Sequence, residues 1–143
     1  MEYGCIGKKL GHSFSAVIHA KLGNYDYRLC ELTETELTEF MTKKDFKGIN
    51  VTIPYKETVI PFLDNIDESA KKIGAVNTVI NNNGILTGYN TDFYGMTELL
   101  KKGSIELAGR KVFILGTGGT SKPARAVAKS LGASEIKVVS RNP

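Results

Sequence analysis

The stretch Lys111–Ser140, KVFILGTGGTSKPARAVAKSLGASEIKVVS, decides the fold class of this chain. Lys111–Leu115 is an apolar strand, Ser121–Leu131 has the periodicity of an amphipathic helix, and Glu135–Ser140 is a second strand. A glycine-rich turn separates the first strand from the helix. Two strands joined through one helix form a β-α-β unit, which opens a doubly wound parallel sheet. The sequence therefore predicts an α/β fold in this part of the chain.

Upstream of this unit, short strands alternate with helices. The predicted strands are Tyr3–Ile6, Tyr25–Leu32, Gly48–Ile53, Val76–Ile80 and Ile85–Gly88. The predicted helices are Ser13–Leu22, Glu34–Thr42 capped by Thr33, Tyr55–Leu63 with Pro54 at its start, Glu68–Ile73, and Thr91–Lys101 capped by Thr91. The Asn-Gly pair within Asn81–Gly84 indicates a hairpin between the last two strands.

The segment Lys102–Arg110 is predicted to join two domains, residues 1–101 and residues 102–143. A parallel pair of strands with one crossover helix buries little apolar surface, because parallel strands need both of their faces covered. We therefore expect the second domain to be incomplete in this sequence.

Composition narrows the class of protein and its partners. Hydrophobic residues make up 41% of the 143 residues and charged residues 24%, as in globular domains. The net charge of +4 comes from scattered lysines without a basic stripe, which argues against a nucleic-acid partner. We expect no membrane partner, since apolar runs are short and Lys8 and Lys9 interrupt the N-terminal region. The expected location is the cytoplasm.

The sequence offers no pattern for a disulfide framework or a metal site. Cys5 and Cys30 both lie in apolar segments predicted as strands, so we expect two reduced core thiols. His12 and His19 lack a second ligand at metal-binding spacing, and we expect no metal.

The turn Gly116-Thr117-Gly118-Gly119 lies where a dinucleotide fingerprint belongs, although Ser121 stands at the third glycine position. Glycines there let the backbone approach a diphosphate at a helix N-terminus, while the alternative is a plain strand–helix turn. Arg141 follows the second strand, where NAD enzymes carry an acidic residue. An arginine there favours the 2′-phosphate of NADP, unless it is a solvated surface residue.

Two further groups of polar residues are candidates for a substrate site. Ser13 and Ser15 flank a helix start, where two hydroxyls suit a carboxylate, although Ser13 also fits a plain helix cap. Lys56 is predicted in the first turn of a helix, an unfavourable place for a cation unless Asp92 closes on it. The alternative for Lys56 is a solvated surface lysine. Asn77 and Thr78 are polar residues within Gly74–Val79, at the start of the predicted strand Val76–Ile80.

Taken in order, these segments resemble the shikimate dehydrogenase family from Tyr3 to Arg141. The matching motifs are Gly11-His12-Ser13-Phe14-Ser15, Gly48–Lys56 (GINVTIPYK), Gly74–Thr78 (GAVNT), Gly88–Asp92 (GYNTD), the glycine turn and Ser140-Arg141. The resemblance implies a mainly parallel N-terminal sheet flanked by helices, the substrate domain. The first β-α-β unit of an NADP-binding Rossmann-like domain follows it.

The resemblance also implies roles for individual residues. Lys56 and Asp92 would be the catalytic pair and would also contact substrate. The other implied substrate contacts are Ser13 and Ser15 to the shikimate carboxylate, with Thr52 and Asn77. The implied NADP contacts are Glu68 (a looser match), Gly116, Thr117, Gly118, Gly119, Thr120, Ser140 and Arg141.

The implied activity is the reversible NADPH-dependent reduction of 3-dehydroshikimate to shikimate, in the biosynthesis of aromatic amino acids. Ala16, Ser140 and Asn142 depart from the family's usual residues, and the late glutamine and tyrosine that help to hold substrate are absent. Two alternatives stay open: a binding fragment without catalysis, and a quinate or shikimate dehydrogenase. A homodimer also stays open.

Overall fold

A computed structural model describes residues 1–141, and Asn142 and Pro143 lie outside the described residues. The strands are β1 (Tyr3–Gly7), β2 (Tyr27–Glu31), β3 (Gly48–Val51), β4 (Asn65–Ile66), β5 (Thr78–Asn82), β6 (Ile85–Tyr89), β7 (Lys111–Leu115) and β8 (Glu135–Val139). The helices are α1 (Ser15–Leu22), α2 (Glu34–Lys43), α3 (Glu68–Ile73), α4 (Asp92–Lys102) and α5 (Ser121–Ser130), with a 3-10 turn at Ile60–Phe62.

The first six strands form one sheet in the order β2-β1-β3-β5-β6-β4. β1 is parallel to β2 and to β3, and β4 is parallel to β6, whereas β5 is antiparallel to both of its neighbours. All strands of this sheet except β5 therefore run in the same direction. This confirms the predicted α/β fold with a mainly parallel sheet, and it places the loops after β1, β3 and β6 at one edge.

β5 and β6 are joined by the predicted hairpin. Asn83 and Gly84 both have positive φ, 52° and 89°, which is the backbone of a type I′ turn. The Asn81 side chain closes this turn by accepting from the N–H of Gly84 at 2.7 Å and donating to the Phe46 carbonyl at 2.9 Å. The Asn-Gly signal therefore predicted this connection correctly.

β7 and β8 form a separate parallel pair, and α5 is the helix between them. The predicted β-α-β unit is thus present, with Leu115 opposite Val139 at its carboxyl end. One face of the pair is open to solvent, where Leu115 is 83% exposed and Phe113 is also exposed.

The predicted helix over Tyr55–Leu63 is wrong. The carbonyl of Lys56 accepts from the N–H of Val76 at 2.7 Å, so the N–H of Ile60 bonds to the carbonyl three residues before it. Pro61 has no N–H with which to continue an α-helix. The chain forms successive turns instead, after a cis peptide bond at Ile53–Pro54. The expected unfavourable helix end at Lys56 is therefore absent.

Two predicted helix caps also differ in the structure. α1 begins at Ser15 with Phe14 at the cap position, and Ser13 Oγ accepts from the N–H of Ser15 at 3.3 Å. At α4 the side chain of Thr91 does not cap the helix, and Asn90 Oδ1 accepts from the N–H of Asp92 at 3.1 Å. A sequence cannot show which of several adjacent polar residues turns toward the helix.

The core lies between the six-stranded sheet and the segments packed on it. Its most buried members include Ile6, Leu37, Met41, Ile49, Val51, Tyr55, Val59, Val76, Val79 and Leu86. The Thr33 cap of α2 is confirmed and forms a capping box with Glu36. Cys5 is a buried free thiol, and Cys30 is a partly buried free thiol packed against the core. Among residues 1–141, no helix has the length and apolarity needed to cross a bilayer.

Asp64 is hydrogen-bonded to Leu86 in β6 and to Lys44, and these bonds predict how the stability of the fold depends on pH. Its Oδ2 accepts from the N–H of Leu86 at 2.8 Å and from Lys44 Nζ at 3.2 Å. These bonds, the Leu86 bond first, lower the pKa of Asp64. Stabilisation from a carboxyl with a lowered pKa is present above its unfolded pKa, about 3.9, and is lost as the pH falls through the folded value. We expect Asp64→Asn to lower the urea midpoint above pH ~4 and to have less effect at lower pH.

The control for this prediction is Asp26→Asn, which removes an exposed ion pair with Arg28. It should leave the wild-type pH dependence of the urea midpoint unchanged. A constant difference between wild type and Asp64→Asn at all pH values would contradict the assignment.

Candidate active site

A cavity of about 290 Å³ opens at the carboxyl edge of the six-stranded sheet. The loops after β1, β3 and β6 meet there, as does the segment that enters the reversed strand β5. Ligands of open α/β sheets bind at this edge because polar side chains from several loops converge on it. The cavity is lined by Cys5, Ser15, Ile18, His19, Asn50, Val51, Thr52, Lys56, Asn77 and Asp92.

Lys56 and Asp92 meet inside this cavity. Lys56 Nζ donates to Asp92 Oδ2 at 2.7 Å, and the side chains are only 14% and 27% exposed. The pair Lys101–Glu98 has the same 2.7 Å separation, but its side chains are 64% and 60% exposed on the surface of α4. Shielding from water strengthens the interaction between charges, so the Lys56–Asp92 pair differs in kind from a solvated surface pair.

The backbone on both sides of this pair is held by specific bonds. The Lys56 carbonyl accepts from Val76, as described above, which fixes the turn that carries the lysine. Asn90 is buried, and its Nδ2 donates to the Ala75 carbonyl at 2.9 Å while its Oδ1 holds the N–H of Asp92. Asn90 therefore positions Asp92.

The two serines lie together at the start of α1. Ser13 Oγ donates to Ser15 Oγ at 3.1 Å, and Ser15 lines the cavity. Ser13 Oγ takes the N–H of Ser15, and Phe14 at the cap position makes no side-chain bond, so the remaining N–H groups of the first turn lie next to the serine hydroxyls. Thr52 also lines the cavity, and its N–H donates to the Ile6 carbonyl at 3.0 Å. This end of the cavity is suited to a carboxylate.

Asn77 presents a fixed amide to the cavity. Its Oδ1 accepts from the N–H of Thr91 at 2.9 Å, from Thr91 Oγ1 at 3.2 Å and from Thr78 Oγ1 at 3.1 Å. Within residues 1–141, its Nδ2 has no hydrogen-bond partner. The side chain is therefore a donor toward any ligand in the cavity.

Sequence reasoning missed four residues at or beside this cavity: Cys5, His19, Tyr27 and Asn50. Asn50 had a usable signal, because it is a polar side chain inside a β-branched strand. Burial raises the pKa of the Cys5 thiol, more than the ammonium of Lys56 lowers it. Tyr27 OH donates to Asn50 Oδ1 at 2.7 Å, a contact between β2 and β3 that no local pattern predicts.

The predicted dinucleotide turn lies beside Lys56. Gly116 has a φ of 104°, in the region that favours glycine, and its N–H donates to the Val139 carbonyl at 2.8 Å. A Cβ on Gly118 would meet nothing within 4 Å, and one on Gly119 would lie 3.9 Å from Lys56 Cδ. With no side-chain cap at Thr120, the N-terminus of α5 is open. This geometry fits the diphosphate of a dinucleotide.

Ser140 and Arg141 come directly after β8, at the same end of the β7–β8 pair as the glycine turn. Arg141 is exposed there. Its position next to the turn suits a phosphate on the adenosine ribose.

Glu68 does not line the cavity of Lys56. It is at the start of α3, where its carboxylate pairs with Lys71 at 3.2 Å. It lines a separate groove of about 780 Å³ between α3, α4 and α5, together with Phe93 and Tyr94. Its predicted cofactor role therefore has less geometric support than that of the glycine turn.

The chain is similar in sequence and in fold to known proteins. The chain is 46% identical over 147 residues to a shikimate dehydrogenase (NADP(+)) of Halothermothrix orenii, covering 96% of this chain and 51% of the relative. The crystal structure of shikimate dehydrogenase 1 from Peptoclostridium difficile has a TM-score of 0.91 at 36% identity, over 96% of this chain and 54% of that one. The shikimate 5-dehydrogenase of Thermus thermophilus, in complex with NADP(H) and shikimate, has a TM-score of 0.88 at 33% identity, over 100% and 57%.

The chain spans about half the length of the curated relatives it matches. The family described as the shikimate dehydrogenase substrate binding domain matches residues 5–79, which include β3, most of β1 and both serines. With this match, and with the fold shared with solved members, the chain belongs to the shikimate dehydrogenase family.

Proposed function

We propose that this chain supplies the substrate-binding and proton-transfer part of an NADP-dependent shikimate dehydrogenase. Residues 1–101 would be the substrate domain, and residues 102–143 an incomplete NADP-binding, Rossmann-like domain. The reaction is the reversible reduction of 3-dehydroshikimate to shikimate. The observation that carries the proposal is the shielded Lys56–Asp92 pair, 2.7 Å apart, in a cavity that also contains Ser15, Thr52 and Asn77.

The catalytic pair handles the proton of this reaction. NADPH, when bound, supplies the hydride that reaches the ring carbonyl carbon. The carbonyl oxygen gains negative charge as this happens, and Lys56 gives it a proton from Nζ. In the oxidation direction, Lys56 takes the hydroxyl proton back. Asp92 orients the lysine through their hydrogen bond and accepts from a neighbouring substrate hydroxyl.

The other polar side chains orient the substrate. Ser13 and Ser15 bind the carboxylate at the N-terminus of α1, while Thr52 and Asn77 bind ring hydroxyls. A fixed carboxylate and fixed hydroxyls hold the reacting carbon next to Lys56, which lowers the entropic part of the barrier.

The cofactor contacts are proposed on the second unit of the chain. The turn from Gly116 through Thr117, Gly118 and Gly119 to Thr120 would hold the diphosphate, and Ser140 with Arg141 would hold the 2′-phosphate of NADP. Glu68 remains a proposed cofactor contact on the family resemblance alone. The approach of Gly119 to Lys56 supports a nicotinamide end near the catalytic pair.

A second candidate function is a binding fragment without catalysis. It is favoured by the cavity itself, whose lining residues all lie between Cys5 and Asp92. Such a fragment would bind shikimate in the cavity but would lack part of the cofactor site. A preference for quinate is a further alternative for the substrate.

Calorimetry on the 143-residue chain tests these functions. We expect shikimate to bind and Ser15→Ala to weaken this binding about 10- to 100-fold, because a hydrogen bond to a charged group contributes about 1.5–3 kcal/mol. Ser134→Ala, at an exposed serine bonded to the Gly109 carbonyl, should have no effect. NADPH binding with turnover supports the enzyme, and shikimate binding alone supports the fragment. Failure to bind shikimate, or tighter binding of quinate, contradicts the substrate assignment.

A further inference from the structure

A series of hydrogen bonds behind the cavity runs from Thr91 to Tyr27. The Thr91 end determines which group donates and which accepts in the bonds that follow. The backbone N–H of Thr91 donates to Asn77 Oδ1 at 2.9 Å. A backbone N–H can only donate, so this atom of Asn77 must be the oxygen. The amide nitrogen of Asn77 is then the group that faces the cavity.

The same constraint passes through Thr78 to Asn50. The Thr78 hydroxyl lies 3.1 Å from Asn77 Oδ1 and must give it its only proton. Its oxygen therefore accepts from the other neighbour, Asn50, whose Nδ2 is 3.3 Å away. Asn50 must then turn its Oδ1 away from Thr78.

Tyr27 makes the last hydrogen bond of this series. Its hydroxyl donates to Asn50 Oδ1 at 2.7 Å, which is the direction that the rest of the series requires. Burial, followed by the nearby Cys5 and Tyr25, raises the pKa of Tyr27 to about 12, although a hydrogen bond with Ser15 acts the other way. The hydroxyl therefore keeps its proton at neutral pH.

The ring of Tyr27 is held as firmly as its hydroxyl. It stacks on the ring of His19, with centroids 3.7 Å apart and planes 11° apart. His19 Nδ1 is itself 2.6 Å from the hydroxyl of Tyr25. Tyr27 thus contacts α1 through the ring of His19 and β3 through the side chain of Asn50.

We propose that Tyr27 is a positioning residue that holds the Asn50 amide in place, so that Asn50 joins Asn77 as a hydrogen-bond donor on the sheet side of the cavity. The proposal rests on the proposed substrate site. Tyr27 holds Asn50 through its Oδ1 and Thr91 holds Asn77 through its Oδ1, so both amides are left with N–H groups for the ligand. The ligand must then offer oxygen acceptors to this side.

This arrangement predicts a chemical selectivity. A ring hydroxyl has lone pairs that accept from Asn50 and Asn77, whereas a protonated amine has none. An amine at that position would also lie near the ammonium of Lys56. The cavity should therefore bind shikimate better than an analogue with an amino group in place of the ring hydroxyl next to Asn77.

Tyr27→Phe tests the inference on the 143-residue chain. Calorimetry should show shikimate binding weakened about fivefold to tenfold, as expected for loss of one hydrogen bond in a polar network. Binding of the amino analogue should change less, so the preference for shikimate should shrink. A general loosening of the fold would weaken both ligands alike and leave that preference unchanged.

Tyr25→Phe is the matched control, since Tyr25 bonds to His19 and does not line the cavity of Lys56. It should leave both affinities within about twofold of wild type. Asn50→Asp, which removes the N–H donors from that position, should reproduce the loss of selectivity seen with Tyr27→Phe.

The outcomes separate this inference from the proposed function. If wild type binds shikimate and Tyr27→Phe binds both ligands as wild type does, the positioning role is wrong and the proposed function stands. If Tyr25→Phe has the same effect as Tyr27→Phe, the effect belongs to the aromatic stack and the hydroxyl has no special role. If wild type does not bind shikimate, both proposals are overturned.

Discussion

Lys56→Met is expected to lower the rate of shikimate oxidation about 10²–10⁴-fold, the usual contribution of a positioned acid–base group. Methionine keeps much of the lysine's apolar volume but cannot carry the proton. The 143-residue chain should be joined to the part of the Halothermothrix orenii relative that its match leaves uncovered, because the chain spans only 51% of that protein. Turnover is measured from NADPH absorbance and shikimate affinity from calorimetry.

The control uses another lysine with the same ion-pair distance. Lys101→Met removes the exposed pair with Glu98 and should leave turnover unchanged. In Lys56→Met, shikimate should still bind within about tenfold, since one donor among several is lost. Turnover near the wild-type level in Lys56→Met would show that Lys56 has no part in the proposed mechanism. Loss of all shikimate binding would instead show that Lys56 is needed to bind the substrate.

Sequence alone was sufficient where a local pattern determines the local structure. The Asn-Gly pair specifies positive φ at both central turn residues, and the structure has them at Asn83 and Gly84. The Thr33–Glu36 capping box is equally local. The β-α-β unit was predictable because its two strands and helix differ clearly in hydrophobic period.

Sequence was insufficient where distant segments compete for the same backbone group. Nothing between Tyr55 and Leu63 reveals that Val76 takes the carbonyl of Lys56, yet that bond prevents the predicted helix. Asn90 likewise outcompetes Thr91 at the start of α4, because Thr91 bonds to Asn77 on another loop. Both errors fall at the edge of the sheet where the loops converge.

In the candidate site, too, some contacts could be predicted from sequence motifs and others could not. The pairing of Lys56 with Asp92 could be predicted from motifs 36 positions apart, and the structure brings the two side chains to 2.7 Å. The Tyr27–Asn50 contact could not be proposed, because it depends on β2 lying two strands away from β3 across β1. Residues that position other residues are therefore harder to read from sequence than residues that face the ligand.

Leu86→Ala is expected to lower the free energy of unfolding by about 2–5 kcal/mol, as for other buried leucines truncated in cores. Leu86 is 0% exposed and belongs to the core cluster beneath the sheet. Its backbone N–H and carbonyl both bond to Asp64, so alanine would keep these bonds and lose only side-chain packing. The cost therefore consists of lost burial and the cavity left behind. Urea unfolding monitored by circular dichroism measures it.

The neighbouring residue provides the control within the same strand. Ile85 points to the opposite face of β6 and is 51% exposed. Ile85→Ala should change the free energy of unfolding by about 0.5 kcal/mol or less, because little surface is buried there. Equal losses in the two variants would mean that the opposite face of β6 is covered in solution as tightly as the core face. A loss only at Leu86 would establish that the stability of the sheet that carries Lys56 and Asp92 comes from one face.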